Sequence, residues 1–289
     1  MHDFGYHRPA SAADAAGLLA KSGDAKIVAG GMTLIPTLKQ RLAQPSDLVD
    51  LGGIAELKGV KAEAGGITIG AMTTHADVAR SADVQKAIPA LAVLAEGIGD
   101  PQVRNRGTIG GSVAHGDPAS DWPAALLAAN GEVVARGPSG ERVIAITNFL
   151  VDTFETALKP DELVTELRVP LAGQRSGGAY EKLERKVGDY AVVGVGVQLI
   201  LDAGGNVASV GIGLCNVGPK SIKATAAESF LRGQPPAPDN LNEAAKLAMD
   251  ASQPITDDRG PADYKRAMVR VLTVRALQRA LARAQGGTR

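Results

Sequence analysis

Cysteine is almost missing from this chain: among 289 residues, Cys215 alone carries a thiol. One cysteine excludes an internal disulfide, a cysteine-built metal site and an iron–sulfur cluster held by this chain. It fits a reducing compartment. Net charge is missing too, because 31 basic residues balance 31 acidic ones. A balanced chain has no general attraction for nucleic acid or an anionic membrane. No apolar run approaches the roughly 20 residues that a membrane span needs. No basic-then-apolar leader opens the chain, so a cytoplasmic protein is expected. Aromatic residues make up only 3%, and the histidines His2, His7 and His75 have no metal-ligand spacing.

Small and apolar residues take up the room. Hydrophobic residues make up 45%, enough for a core, and glycine alone counts 35. Small side chains let backbones approach one another or a ligand closely. The opening reads α-β-α-β. Ser11 caps a helix in "SAADAAGLLAK", "KIVAGG" is a short strand, "MTLIPTLKQRLA" is helical with Pro36 near its first turn, and "DLVDL" is a second strand. "LKGVKAEAGGITIGAMT" reads as a hairpin about Gly65-Gly66. Helices are expected over "THADVARS", with Thr74 as cap, and over "IPALAVLAEGI" and "PAALLAAN". "EVVARGPSGERVIAI" is a further hairpin, and "DELVTELRVP" is a strand closing at Pro170. Leu171 to Gly178 has linker composition. Beyond it, "AYEKLERK", "YAVVGVGVQLIL" and "NVASVGIGLCNVG" predict a three-stranded meander, followed by helices.

Two short stretches carry the chemistry. "IVAGGMTL" (27–34) and "GTIGGSVA" (107–114) each place paired glycines after an apolar run and before small or hydroxylic residues. A turn of this kind aims several backbone N–H groups one way, and such groups bind phosphate oxygens. Hydrogen bonds to charged groups are worth about 1.5–3 kcal/mol each, so four or five donors anchor a pyrophosphate. Two tight turns in a glycine-rich chain are the plainer explanation of the same residues. No G-x-G-x-x-G opens a βαβ unit, and no glycine loop ends in Gly-Lys-Ser/Thr, so neither a Rossmann site nor a Walker site is supported.

Four longer stretches sharpen the reading. "VAGGMTLIPTLKQRLAQPSDLVDL", "IGAMTTHADV", "GDPQVRNRGTIGGSVAHGDPASDWPAALL" and "YEKLERKVGDYA", with "DDRGPADYKRAMVRVL" near the end, resemble the FAD-binding medium subunits of molybdenum hydroxylases, a family that includes the medium subunit of aerobic carbon monoxide dehydrogenase. The resemblance spans essentially the whole chain. It implies an α+β fold: a p-cresol methylhydroxylase-type FAD domain over residues 1–175, in two α/β parts (1–56 and 57–175). A smaller domain over 176–289 follows, with a three-stranded antiparallel sheet and helices. It implies that Ala29, Gly30, Gly31, Met32 and Thr33, and Thr108, Ile109, Gly110, Gly111 and Ser112, hold the FAD pyrophosphate. Asp121 matches an aspartate that contacts the cofactor, Ile98 and Tyr190 match positions lining the flavin ring, and Lys182 lies near a lysine that contacts FAD in relatives. Close relatives often have His-Ser where this chain has Met32-Thr33, and Asn where it has Ser112; backbone donors survive these changes.

The resemblance also implies partners: a large molybdopterin-binding subunit and a small subunit with two [2Fe-2S] clusters, as a dimer of heterotrimers, plus an external electron acceptor. Electrons would pass from the clusters to FAD, with no catalytic side chain in this subunit. A flavin- or nucleotide-binding module with a structural role, and a stand-alone flavin oxidoreductase, are the alternatives. Read from the residues alone, His115 is a polar loop residue, Asp117 a turn or cap residue, Trp122 a packing residue and Cys215 a buried small hydrophobe. From Pro261 onward there are seven basic residues and one acidic, which read as a solvated helix face or a contact with an acidic partner. Arg104 and Arg106, beside the second glycine pair, are candidates for an interface with the small subunit or for support of the loop next to it.

Overall fold

The computed structural model describes residues 1–287; Arg289, one of the seven late basic residues, lies outside them. The chain opens with β1 (Gly5–His7), α1 (Ala12–Lys21), β2 (Lys26–Val28), α2 (Leu34–Lys39) and β3 (Asp47–Asp50). The three strands form a parallel sheet in the order β1-β3-β2. Ser11 Oγ accepts the Asp14 amide at 3.1 Å and starts α1, which buries Ala12, Ala15, Ala16 and Leu19. α2 is shorter than expected. Pro36 sits within its first turn, and Arg41, at a φ of 60°, stops the chain from continuing as helix.

The second part holds β4 (Val60–Glu63), β5 (Gly66–Gly70), α3 (His75–Arg80), α4 (Ala82–Ala87), α5 (Pro89–Glu96), α6 (Pro101–Arg104), α7 (Ile109–His115) and α8 (Asp121–Ala128). It continues with β6 (Glu132–Gly137), β7 (Gly140–Ala145), α9 (Ile146–Phe149), β8 (Leu150–Asp152), β9 (Glu155–Thr156) and β10 (Leu163–Pro170). The two expected hairpins, β4-β5 and β6-β7, flank β10 in an antiparallel sheet ordered β4-β5-β10-β6-β7. Thr74 caps α3 by accepting the Asp77 amide at 3.1 Å. Ile69, Ile109, Trp122, Leu126 and Phe149 are fully buried between this sheet and its helices.

The last part is a sheet of β11 (Ser176–Leu183), β12 (Val193–Leu201) and β13 (Val207–Cys215), with the two-residue β14 (Ile222–Lys223) added at its edge. The three long strands are the predicted meander, paired antiparallel. α10 (Thr225–Leu231), α11 (Pro238–Ala251) and α12 (Ala262–Ala284) follow. The stretch expected as linker is corrected at its end: Ser176, Gly177 and Gly178 already belong to β11. A side chain at Gly177 would overlap the carbonyl of Ala280, so glycine there lets α12 lie against the strand.

Side-chain alternation explains how this sheet is covered on both faces. Val195, Val197, Ile212 and Leu214 face one way and pack with Val269, Leu272 and Ala276 of α12. Gly196, Gly211 and Gly213 face the other way. A Cβ on Gly211 or Gly213 would overlap the carbonyls of Ala128 or Ala124, so α8 lies with its backbone directly on the strands. The sheet and α8 therefore meet without an intervening layer of side chains.

Candidate functional site

The two glycine stretches, eighty residues apart in sequence, meet in space. A Cβ on Gly30 would overlap the Arg106 carbonyl, and one on Gly111 would lie 3.1 Å from the Ala29 Cβ. Gly31 has a φ of 76°, the left-handed conformation that glycine adopts freely. The amides of Gly30, Gly31, Met32 and Thr33 donate to no acceptor among the described residues. Thr33 begins α2 without a side-chain cap, and Met32 is half-exposed. The first stretch thus offers consecutive free N–H groups, as expected.

The second stretch is different. Ile109–Gly110–Gly111 is not an open turn but the first turn of α7, with Thr108 as its cap. Its amides already have partners. Ile109 donates to the Thr73 carbonyl at 3.1 Å, Gly110 to that of Ala71 at 2.9 Å and Ser112 to that of Thr108 at 3.0 Å. Gly111 donates to Thr108 Oγ1 at 3.2 Å. The expectation of free amides in both stretches is therefore corrected for the second. Ile109 is fully buried in the core, and a side chain at Gly110 would overlap Ala71. These residues fix the wall that the first stretch packs on. The hydroxyl of Ser112 lies 2.6 Å from that of Ser120, next to the start of α8.

Beneath the second stretch, His75 is buried, and its Nδ1 accepts from the Trp122 indole N–H at 3.1 Å. Burial, with the Arg104 guanidinium second, pushes the His75 imidazole down to about 4. Trp122 packs, as expected. Arg104 Nη1 donates to the carbonyls of Ile98 at 3.1 Å and Gly99 at 2.6 Å. Arg104 thus supports the 97–99 turn, while the Arg106 side chain is exposed.

Asp121 and Lys182 form the base of the site. Asp121, at the N-terminus of α8, is 7% exposed, and both its oxygens are engaged. Oδ1 accepts from the Tyr180 hydroxyl at 2.7 Å and Oδ2 from Lys182 Nζ at 3.0 Å. Lys182 Nζ also reaches the Gly97 carbonyl at 3.1 Å and Glu184 Oε2 at 3.2 Å. The ammonium thus makes two hydrogen bonds and an ion pair with Glu184. Burial works against the Lys182 charge, but Asp121 and Glu184 outweigh it and its pKa is raised. Burial also raises the pKa of Asp121, against the pull of Lys182 and the Tyr180 hydroxyl. Glu181 points to the opposite face of β11, where it pairs with Arg279 at 2.6 Å.

Tyr190 closes the ring of residues. It follows a turn in which a side chain at Gly188 would overlap the Gly99 carbonyl, so this turn lies backbone to backbone on the 97–99 turn that carries Ile98. Burial raises the Tyr190 pKa, the nearby charge of Asp117 adds to this, and a hydrogen bond with the Thr33 side chain opposes it. Cys215 is fully buried, with its Sγ 3.3 Å from the Ser120 carbonyl, and the His115 ring lies tilted against Phe154, 4.9 Å between centres.

The donor set suits a dinucleotide. Four free amides in one turn match a pyrophosphate, which needs donors and no catalytic acid or base. A family model described as the FAD binding domain in molybdopterin dehydrogenase matches residues 2–172. The chain belongs to the FAD-binding medium subunits of molybdenum hydroxylases. It is an oxidoreductase subunit, and its cofactor is FAD. The model for the carbon monoxide dehydrogenase flavoprotein C-terminal domain matches residues 178–280. The carbon monoxide dehydrogenase medium chain of Hydrogenophaga pseudoflava is 43% identical, over 97% of this chain and 98% of that one. The nicotine 6-hydroxylase medium subunit of Paenarthrobacter nicotinovorans is 36% identical, over 96% of this chain and 97% of that one. Among solved structures, carbon monoxide dehydrogenase from Hydrogenophaga pseudoflava superposes with a TM-score of 0.95, at 43% identity and 98% coverage of both chains. Quinoline 2-oxidoreductase from Pseudomonas putida 86 superposes with a TM-score of 0.91, at 31% identity, over 99% of this chain and 98% of that one. No helix among the described residues is long and apolar enough to cross a membrane.

Tyr180, the glycine face of the sheet and Arg259, which lies against Tyr190, carry no local signal in the sequence. "YEKLERK" and "DDRG" were visible as parts of the resemblance, but nothing in their spacing shows what they touch.

Proposed function

We propose that this chain is the electron-transferring flavin subunit of a molybdenum hydroxylase, working with a large molybdopterin subunit and a small two-[2Fe-2S] subunit in a dimer of heterotrimers. The observation that carries this is the row of free amides at Gly30–Thr33, seated on the second glycine stretch. Bound FAD accepts electrons singly and passes them on in pairs, which links one-electron clusters to a two-electron external acceptor. Residues 1–175 form the FAD-binding unit, in parts 1–56 and 57–175, and residues 176–289 form the C-terminal unit. The separate sheets support this division.

The residues of this chain bind and orient. The amides of Gly30, Gly31, Met32 and Thr33, next to Ala29, hold the pyrophosphate. Thr108, Ile109, Gly110, Gly111 and Ser112 build the wall opposite. Ile98 and Tyr190 flank the flavin ring. Asp121 and Lys182 act from behind, because their polar atoms already hold Tyr180 and the 97–99 turn. The test is to co-express the chain with its partner subunits and extract the flavin. One non-covalent FAD per chain, bleached by the substrate of the large subunit, supports the proposal. FMN, flavin that stays on the denatured polypeptide, or FAD that only dithionite reduces would overturn it.

A further inference from the structure

The "DDRG" turn (Asp257–Gly260) lies outside both glycine stretches, and the proposed function gives it no task. Its build is specific. Asp257 and Gly260 exchange backbone hydrogen bonds at 3.2 Å, and Asp257 Oδ1 accepts the Arg259 amide at 2.9 Å. Asp257 Oδ2 pairs at 2.6 Å with Lys265 Nζ, which is buried in α12. A turn anchored this way presents Arg259 in one direction. Arg259 Nη1 donates to Asp189 Oδ1 at 3.3 Å and to the Tyr190 carbonyl at 3.2 Å. Its guanidinium lies 5.6 Å from the centre of the Tyr190 ring, within cation–π range. Arg185 holds the same turn from the other side, at 3.4 Å from Asp189 Oδ2.

Tyr190 is otherwise loosely held. It is 42% exposed, and three positions before it Val187 is almost wholly exposed. In the proposed site its ring flanks the flavin, so its orientation matters there. We infer that Arg259 is a positioning residue of the cofactor site: it fixes the Asp189–Tyr190 turn and holds the Tyr190 ring where the proposed function sets it beside the flavin. This rests on that proposed function. Arg259 touches no cofactor; it acts through Tyr190.

That claim has a thermodynamic signature. Residues acting through one another give non-additive effects in a double-mutant cycle. The measurement is the FAD dissociation constant, with flavin fluorescence and circular dichroism, of the full chain alone and in the co-expressed complex. Arg259→Ala and Tyr190→Leu are each expected to weaken FAD binding about tenfold and to change the flavin spectra alike. The double variant should be no weaker than the weaker single one. Arg259→Lys, which keeps the charge facing Asp189, should recover most of the affinity. If Arg259→Ala fails to fold, Asp189→Ala removes the carboxylate that Arg259 holds. An Arg259→Ala protein within twofold of wild type, or single effects that multiply in the double variant, would overturn the inference alone. A wild-type complex that takes up no FAD would overturn the reading of the site, and this inference with it.

Discussion

The Tyr180 hydroxyl donates to Asp121 Oδ1 at 2.7 Å, joining β11 of the C-terminal sheet to the first turn of α8. Lys182 completes the contact from the same face of the strand. Removing one partner of a buried pair costs about 3–5 kcal/mol where the other charge is left alone; here Glu184 stays beside Lys182 and moderates the loss. Asp121→Ala should lose about 3 kcal/mol in denaturant unfolding of the apoprotein, the lower end of that range. Tyr180→Phe removes one hydrogen bond and should lose about 1–2 kcal/mol. Equal losses for the two variants would show that the carboxylate does not organise this seam.

The glycine stretches should respond differently to substitution. Gly31→Val places a β-branched residue at a φ of 76° and should abolish FAD retention. Gly111 is not in the left-handed region, so Gly111→Val acts by crowding: its Cβ would sit 2.9 Å from Thr108 Oγ1 and 3.1 Å from Ala29. It should also lose FAD, with the far-ultraviolet circular dichroism unchanged. Met32→Ala should retain it, because the backbone supplies the donors. Normal flavin content in Gly111→Val would remove the second stretch from the site.

His75 sets a pH dependence. Its folded pKa of about 4 lies below the ordinary 6.5. Between those values the unfolded chain binds the proton more readily, so stability falls as the pH drops from 6.5 towards 4 and levels off below. The full shift is worth about 3 kcal/mol. Unfolding midpoints measured across that range should fall for wild type and fall less for His75→Asn, which keeps an acceptor for Trp122 but does not titrate. Parallel curves would rule out His75 as the source.

Arg104 and Arg106 should separate by task. Arg104→Ala frees the Ile98 and Gly99 carbonyls and should weaken FAD retention in the purified complex. Arg106→Ala alters an exposed side chain and should leave FAD in place, while lowering co-purification of the small subunit or slowing substrate-driven flavin reduction. If both assays give wild-type values for Arg106→Ala, it is an ordinary surface charge.

Much of this was legible in the sequence where the signal is local. Ser11 and Thr74 announce their helices because a cap and the amide that donates to it lie three residues apart. "KIVAGG" shows a strand running into a turn, and the free amides follow from it. "TIGG" misleads because paired glycines weaken a helix, yet here Thr108 caps one and Ala71 lies where the Gly110 side chain would be. The alternating glycines of "VGVGV" and "VGIGL" give the period of a strand but not the reason for glycine. That reason is a helix seventy or more residues earlier. Arg259 and Tyr190, sixty-nine residues apart, leave no trace in either local pattern.

Two family models divide this polypeptide near residue 175, but the seat of α8 on Gly196, Gly211 and Gly213 makes that division a matter of ancestry rather than mechanics. A seam lined by long side chains can absorb a small shift by changing rotamers. Here peptide groups lie directly against peptide groups, and a displacement of even one methyl's width has nothing to yield. The C-terminal sheet cannot slide over α8; it can only stay or detach. Whatever grips the outside of that sheet is therefore rigidly coupled to the helix whose first residue is Asp121, and through Lys182 to the turn carrying Ile98. An assembly docking on either half would set the geometry of both.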